Sequence, residues 1–360
     1  MIEHESRQPE RKFTFIYPPT VNWNGAIFQR PHQLFAEFAR QGHFAIFTNK
    51  TDDGKGIFWT VNKNLCISND LSKTLADPGI KAIMTDTEKI FWVSYPPTFS
   101  CRDMVVPDLT VFDYLDESVD EFSFWQDGLD ECIKSSDVIF VVSRRLLELV
   151  DTRCPNKAFL VPNGADIRQF MQEDISIPKD MKRLKEAYRY VVGFTGSLES
   201  WIDFHLIKEM AQERPDWAFV LIGPENCDTC GVKDIPNVHF LGAKKYPELV
   251  NYVKNFDAGI IPFQVRDMTN SANPIKMYEY LAAGIPVVAT PIRECAALAP
   301  YIRTAGTGKE SVIKIEEAIK ASKGEKQDYI KLATENSWTR RVEKIVSILK
   351  PITASIQSAT

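Results

Sequence analysis

Asn273-Pro-Ile-Lys-Met-Tyr-Glu-Tyr-Leu-Ala-Ala-Gly-Ile-Pro-Val-Val-Ala-Thr290 reads as a loop, a helix start, a short helix, a glycine stop and a β-branched run. Pro274 suits the first helical turn, where its missing N–H costs nothing. Gly284 suits the position just past the helix end, where a left-handed backbone is wanted. Ile285 to Ala289 is short and apolar, as expected of a strand buried on both faces. A loop entering a helix in this way presents free backbone N–H groups and the positive end of the helix dipole. Lys276 adds a full charge. Asn273, Pro274, Ile275, Lys276 and Met277 together therefore form a candidate phosphate or diphosphate site. Glu279, one turn on, is placed to accept hydrogen bonds from ribose hydroxyls.

Working outward, the chain reads as alternating strands and helices. Phe13 to Tyr17 is an aromatic and β-branched strand ending in Pro18-Pro19. A polar loop follows, then an amphipathic helix from Pro31 to Arg40, and a second strand from Phe44 to Thr48. Further strands are expected at Ile57–Val61, Ile90–Ser94, Thr110–Leu115, Val138–Ser143 and Ala158–Val161, with helices at Phe122–Ser135 and Leu146–Asp151. A charged connector, Ile167 to Tyr188, leads to a second unit. Its strands are expected at Tyr190–Thr195, Ala218–Ile222, Val238–Leu241 and Ala258–Pro262, with helices at Phe204–Glu213 and Tyr246–Asn255. Ser337 to Leu349 is a last amphipathic helix. The expected division is a flexible terminus at 1–11, a doubly wound α/β domain at 12–178, a second at 179–336, and a closing helix with tail at 337–360.

The 360 residues suffice for two such domains, and 44% hydrophobic content fills two cores. A formal net charge of -5 gives neither half the basic excess of a nucleic-acid binder. The opening residues Met1 to Arg11 are polar and charged, unlike a signal or transit peptide. No apolar run approaches the roughly 18 residues of a membrane span. The seven cysteines are scattered, which suits reduced thiols in a cytoplasm. Cys227 and Cys230 form a lone Cys-x-x-Cys that lacks the further ligands of a zinc site.

Other residues fall where strands end. Gly193-Phe-Thr-Gly-Ser197 follows a strand, so Gly196 and Ser197 could let the backbone approach a phosphate. It is neither a dinucleotide fingerprint nor a P-loop. Glu225, after Gly223-Pro224, and Tyr246, after Gly242-Ala-Lys-Lys, would flank a nucleotide base. Asp113 and Asp116 lie at a strand's carboxyl end, where a carboxylate can serve as general base toward a hydroxyl. His32, at a helix start, is the other candidate for that role.

Several of these strings together resemble GT-B glycosyltransferases, in particular bacterial enzymes that build exopolysaccharide or teichuronic-type polymers. The resemblance rests on Arg30-Pro-x-x-Leu34, the Gly193–Ser197 turn, the strand Ala258-Gly-Ile-Ile-Pro-Phe263, the Pro-x-Lys-x-x-Glu helix, and the Trp-containing last helix. It implies two Rossmann-like domains facing across a cleft, with the last helix returning to the first domain. It also implies transfer of a sugar from a UDP- or GDP-sugar to a polysaccharide, lipid-linked or other glycan acceptor.

In that reading Lys276 and nearby amides hold the diphosphate, Glu279 binds ribose, and Asp113, Asp116 or His32 meets the acceptor. No cofactor is expected beyond the nucleotide sugar as co-substrate. The absence of an Asp-x-Asp triplet points to metal-independent chemistry. The expected setting is cytoplasmic, with peripheral contact at the inner face of the membrane. Relatives that retain anomeric configuration commonly carry an acid eight positions before the residue matching Glu279. Ser271 stands there, which leaves stereochemistry open. A non-hydrolysing sugar-nucleotide epimerase of the same shape and a non-catalytic two-domain binding protein are the alternatives.

Overall fold

The computed structural model describes residues 12–357 except 53, 55 and 174. The expected flexible terminus at 1–11 lies outside them. Two sheets organise the chain. The first contains β1 (Phe13–Tyr17), β2 (Phe44–Thr48), β3 (Ile57–Trp59), β4 (Leu65–Ser68), β5 (Glu88–Val93), β6 (Leu109–Tyr114), β7 (Val138–Val141) and β8 (Ala158–Leu160). Their order is β3-β4-β2-β1-β5-β6-β7-β8, and only the β3–β4 pair is antiparallel. The second contains β9 (Tyr190–Thr195), β10 (Trp217–Ile222), β11 (Val238–Phe240), β12 (Ala258–Ile261), β13 (Val287–Ala289) and β14 (Ile302–Thr304). It is parallel throughout, in the order β11-β10-β9-β12-β13-β14. Each order reverses once, between β1 and β5 and between β9 and β12. At such switch points, loops leaving the carboxyl ends diverge and open a crevice.

The central strands are buried on both faces, which is why they read as continuous apolar runs rather than alternating ones. On one face of the first sheet Leu34, Phe35 and Phe38, from the helix Arg30–Arg40, pack with Trp338, Val342, Ile345 and Leu349. Those four residues belong to the last helix, Trp338–Gln357, so the chain crosses back to the first domain after completing the second. Gly284 ends the helix Ile275–Ala282 at φ +73°, the left-handed turn its position demands.

The structure departs from the expected elements in several places. Leu65–Ser68 is an additional strand. The expected helix from Phe122 is a 3-10 turn (Asp120–Trp125) followed by the helix Gln126–Ser135, with Gly128 at φ +86° inside the kink. A 28-residue helix, Gly308–Glu335, fills the stretch before the last one. No helix among the described residues is long and apolar enough to cross a membrane.

Trp338 is fully buried, with the Arg30 guanidinium 5.9 Å from its ring centroid. Trp338→Ala should therefore cost about 3–5 kcal/mol, the usual penalty for emptying a large core site. Urea denaturation followed by far-UV circular dichroism checks this. A change under about 1 kcal/mol would mean that the last helix is not integral to the first domain's core.

Candidate active site

The helix Ile275–Ala282 starts beneath the turn that leaves β9. Lys276 lies across Gly196: a Cβ added at Gly196 would sit 2.3 Å from Lys276 Cε and 2.6 Å from its Nζ. Gly196 also holds φ +144°, so both space and backbone call for glycine. The ammonium stands 5.4 Å from the ring centroid of Phe194 and 5.8 Å from that of Phe263. These are the aromatic residues of the Gly-rich turn and of the Pro-Phe strand end, and their faces attract a cation. Among the described residues Lys276 makes no hydrogen bond or ion pair. Burial pushes its pKa down, while the nearby Glu279 carboxylate opposes that shift. Glu279 is itself buried, which raises its pKa to about 7 against the pull of Lys276. The result is a half-buried cation with no anionic partner at contact distance among the described residues, at a helix start.

The segment around Lys276 divides by role. Asn273 is buried; its carbonyl and side-chain oxygen accept from Asn163, and its side-chain nitrogen donates to Glu294 at 3.2 Å. Pro274 is the N-cap, and Ile275 packs against the first domain's core. The expectation for Met277 needs correction. Its amide already donates to the Pro274 carbonyl at 3.3 Å, and its side chain lies wholly in the second domain's core. The first turn of the helix tightens here, which consumes that N–H.

The other candidates on the second domain line the ends of β9, β10 and β11. Ser197 Oγ contacts Glu199 and accepts from Asn226 at 2.9 Å. Glu225 is ion-paired with Lys233. Tyr246 stacks on Phe28 of the first domain, with ring centroids 4.7 Å apart. Its buried hydroxyl lies near Gln33 and Glu279. Cys227 and Cys230 are free thiols. Among the described residues no cluster of three or more His, Cys, Asp or Glu side chains is placed to hold a metal ion.

Two acceptor-side candidates are corrected by the geometry. Asp113 is fully buried and takes a forked ion pair from Arg30, with contacts of 2.9 to 3.1 Å, plus the Trp92 indole N–H at 3.2 Å. A carboxylate so engaged cannot collect a proton from a substrate hydroxyl. His32 is likewise occupied: Nδ1 accepts from the Gln29 amide at 3.1 Å, which leaves Nε2–H to donate to the Asn22 carbonyl at 3.0 Å. Burial lowers its pKa to about 4, so the ring is neutral and pins the Asn22–Gln29 loop. Asp116 behaves differently. It is partly exposed and makes no hydrogen bond among the described residues, and burial of its carboxyl raises its pKa to about 6. Its neighbour Glu117 is held by Arg145, and the Glu117 amide donates to Ser271 Oγ across the domains at 3.3 Å.

The site also depends on residues to which sequence reasoning gave no role. Arg30 belonged to the Arg-Pro string, but its partner lies 83 positions away. Asn163 sits in Val-Pro-Asn-Gly, which signals only a turn. Glu294 had no distinguishing context.

These features are those of the GT-B fold: two Rossmann-like sheets, parallel except for the β3–β4 pair, loops at their carboxyl ends, and a lysine-bearing helix start in the second domain. Residues 189–319, most of the second domain, match the family model described as Glycosyl transferases group 1. TuaH of Bacillus subtilis (strain 168), described as a teichuronic acid biosynthesis glycosyltransferase, is 30% identical over 178 residues. The match covers 47% of this chain and 44% of TuaH, so the chain spans less than half of that relative's length. Sucrose-phosphate synthase from Thermosynechococcus elongatus shares the fold with a TM-score of 0.72 and 12% identity, over 96% of this chain and 100% of that one. HepE of Anabaena, in complex with UDP and glucose, does so with a TM-score of 0.67 and 14% identity, over 95% and 100%.

Two outcomes follow from the geometry. His32 has a folded-state pKa below its unfolded value, so its contribution to stability is complete above about pH 6.5 and is lost as pH falls toward about 4. Urea denaturation between those limits should show a slope approaching about 1.4 kcal/mol per pH unit from this residue, and His32→Gln should remove it. Gly196→Ala should expel the Lys276 side chain. The variant should fold and lose its response to nucleoside diphosphates in a thermal melt; an unchanged response would contradict the close approach.

Proposed function

We propose that this chain transfers a sugar from a UDP- or GDP-sugar to a glycan or lipid-linked acceptor without a metal ion. The observation that carries the reading is the Lys276 ammonium, flanked by two aromatic rings at a helix start and making no hydrogen bond or ion pair among the described residues. A diphosphate supplies the missing charge. As the bond from the anomeric carbon to the diphosphate breaks, negative charge grows on the leaving oxygen. Lys276 and the amides of Ile275 and Lys276 stabilise it there, which is the part a cation plays in metal-dependent transferases. Glu279 binds the ribose hydroxyls.

Asp116 takes the proton from the acceptor hydroxyl. Its raised pKa, about 6, leaves it ionised at neutral pH yet a stronger base than an ordinary carboxylate. Contact between the domains excludes water and favours transfer over hydrolysis. The UDP complex of HepE supports UDP as the nucleotide, and the description of TuaH supports a cell-envelope polymer as acceptor. Such an acceptor would bring the protein to the cytoplasmic face of the membrane.

UDP or GDP should raise the melting temperature, and Lys276→Ala should lose most of that rise, with turnover falling about 10²–10³-fold. Acceptor kcat/KM should climb as pH passes about 6, and Asp116→Asn should abolish that limb while leaving nucleotide binding intact. Donor conversion without release of the nucleoside diphosphate would instead identify an epimerase.

A further inference from the structure

A continuous line of buried polar groups runs from the first domain to the loop that precedes Lys276. It begins at Asp113, which fixes Arg30 from β6 through the forked ion pair. Arg30 Nη1 then donates to Asn163 Oδ1 at 3.2 Å and to the Pro162 carbonyl at 3.3 Å. The Asn163 carbonyl is held separately by Arg341 Nε of the last helix at 3.0 Å. Both acceptors of Asn163 are thus held by cations, Arg30 of the first domain and Arg341 of the last helix. Its remaining donors meet a single residue: the backbone N–H reaches Asn273 Oδ1 at 2.9 Å, and Nδ2 reaches the Asn273 carbonyl at 2.6 Å. Asn273 is 3% exposed and Asn163 9%, so water offers little competition for these bonds. Asn273 stands three positions before Lys276 and is the residue whose carbonyl direction sets how the chain enters the helix.

We infer that Asn163 is a positioning residue for the donor site: held by Arg30, it fixes the Asn273 peptide and so aims the first helical turn and Lys276 at the diphosphate. This rests on the donor-site reading above. Asn163 need not touch the nucleotide. It acts by sparing the loop the freedom that binding would otherwise have to remove, and a misplacement of about 1 Å at such a loop can cost about 10²-fold in rate. The Arg-Pro opening of the chain thereby gains a role in donor binding from the opposite domain. Asp113 serves as the anchor of that arrangement.

Asn163→Asp separates the two links. The carboxylate keeps an acceptor for Arg30 but sets an oxygen against the Asn273 carbonyl, where a donor is required. By isothermal titration, the parent should bind UDP or GDP. With the tighter of the two, Asn163→Asp should raise Kd about tenfold while the unliganded melting temperature stays within about 4 °C of the parent. In a Lys276→Ala background the same change should alter Kd less than about twofold, because the group being aimed is gone.

Should Asn163→Asp fail to fold, Asn163→Ser removes the Nδ2 donor, keeps the backbone bond and enters the same cycle. A parent-like Kd in the folded variant, or a tenfold loss in both backgrounds, overturns the positioning role and leaves the donor site standing. A parent that binds neither UDP nor GDP overturns the donor site and this inference together.

Discussion

The site is organised around a half-buried ammonium group that lacks an anionic partner at contact distance among the described residues. Lys276 could have been paired with a carboxylate at contact distance; instead it is walled by Phe194 and Phe263, with Glu279 near enough only to moderate its pKa. Holding a half-buried charge without a full partner is costly, and the fold bears that cost elsewhere, in three apolar clusters and in central strands covered on both faces. An anion entering the pocket converts this standing penalty into binding energy. The glycine at 196 is the geometric condition for the arrangement, since any side chain there would occupy the volume of the lysine.

A second constraint is the meeting of the two domains. Their contacts include specific polar pairs: Asn163 with Asn273, Glu294 with the Arg144 amide, Glu117 with Ser271, and, at the exposed rim, Arg293 with Glu148. Removing one member of a buried polar pair leaves its partner unsatisfied, so the Asn163–Asn273 contact enforces a particular alignment more than it adds net stability. Phe28 stacked on Tyr246 is the aromatic counterpart on the nucleotide side.

Much of the fold could be read from local pattern. β1, β2, β9 and the helix Phe204–Glu213 fall within the expected limits because short β-branched or aromatic runs, and an evenly spaced apolar stripe, each match one period. Leu65–Ser68 escaped because four residues ending in serine carry no distinct signal. The kink at Gly128 escaped because the apolar spacing continues across it. At the site, the Lys276 helix start and the Gly196 turn were legible because each is a local device with its own residue requirements. The fates of Asp113 and His32 were not. Whether an acid or an imidazole is free depends on partners brought in by the fold, and Arg30 reaches Asp113 only once β6 and the first helix are packed together.

The placement of Trp338, Val342, Ile345 and Leu349 in the first domain's core bears on how the molecule is made. During synthesis the strands of the first domain emerge before these residues, so part of one face of its sheet stays uncovered until the segment from Trp338 to Leu349 has left the ribosome. The second domain, whose core is drawn from residues 165–333, is complete earlier. Translation therefore exposes an unfinished apolar surface for the time needed to add the intervening residues, an interval in which chaperone capture or premature association competes with closure.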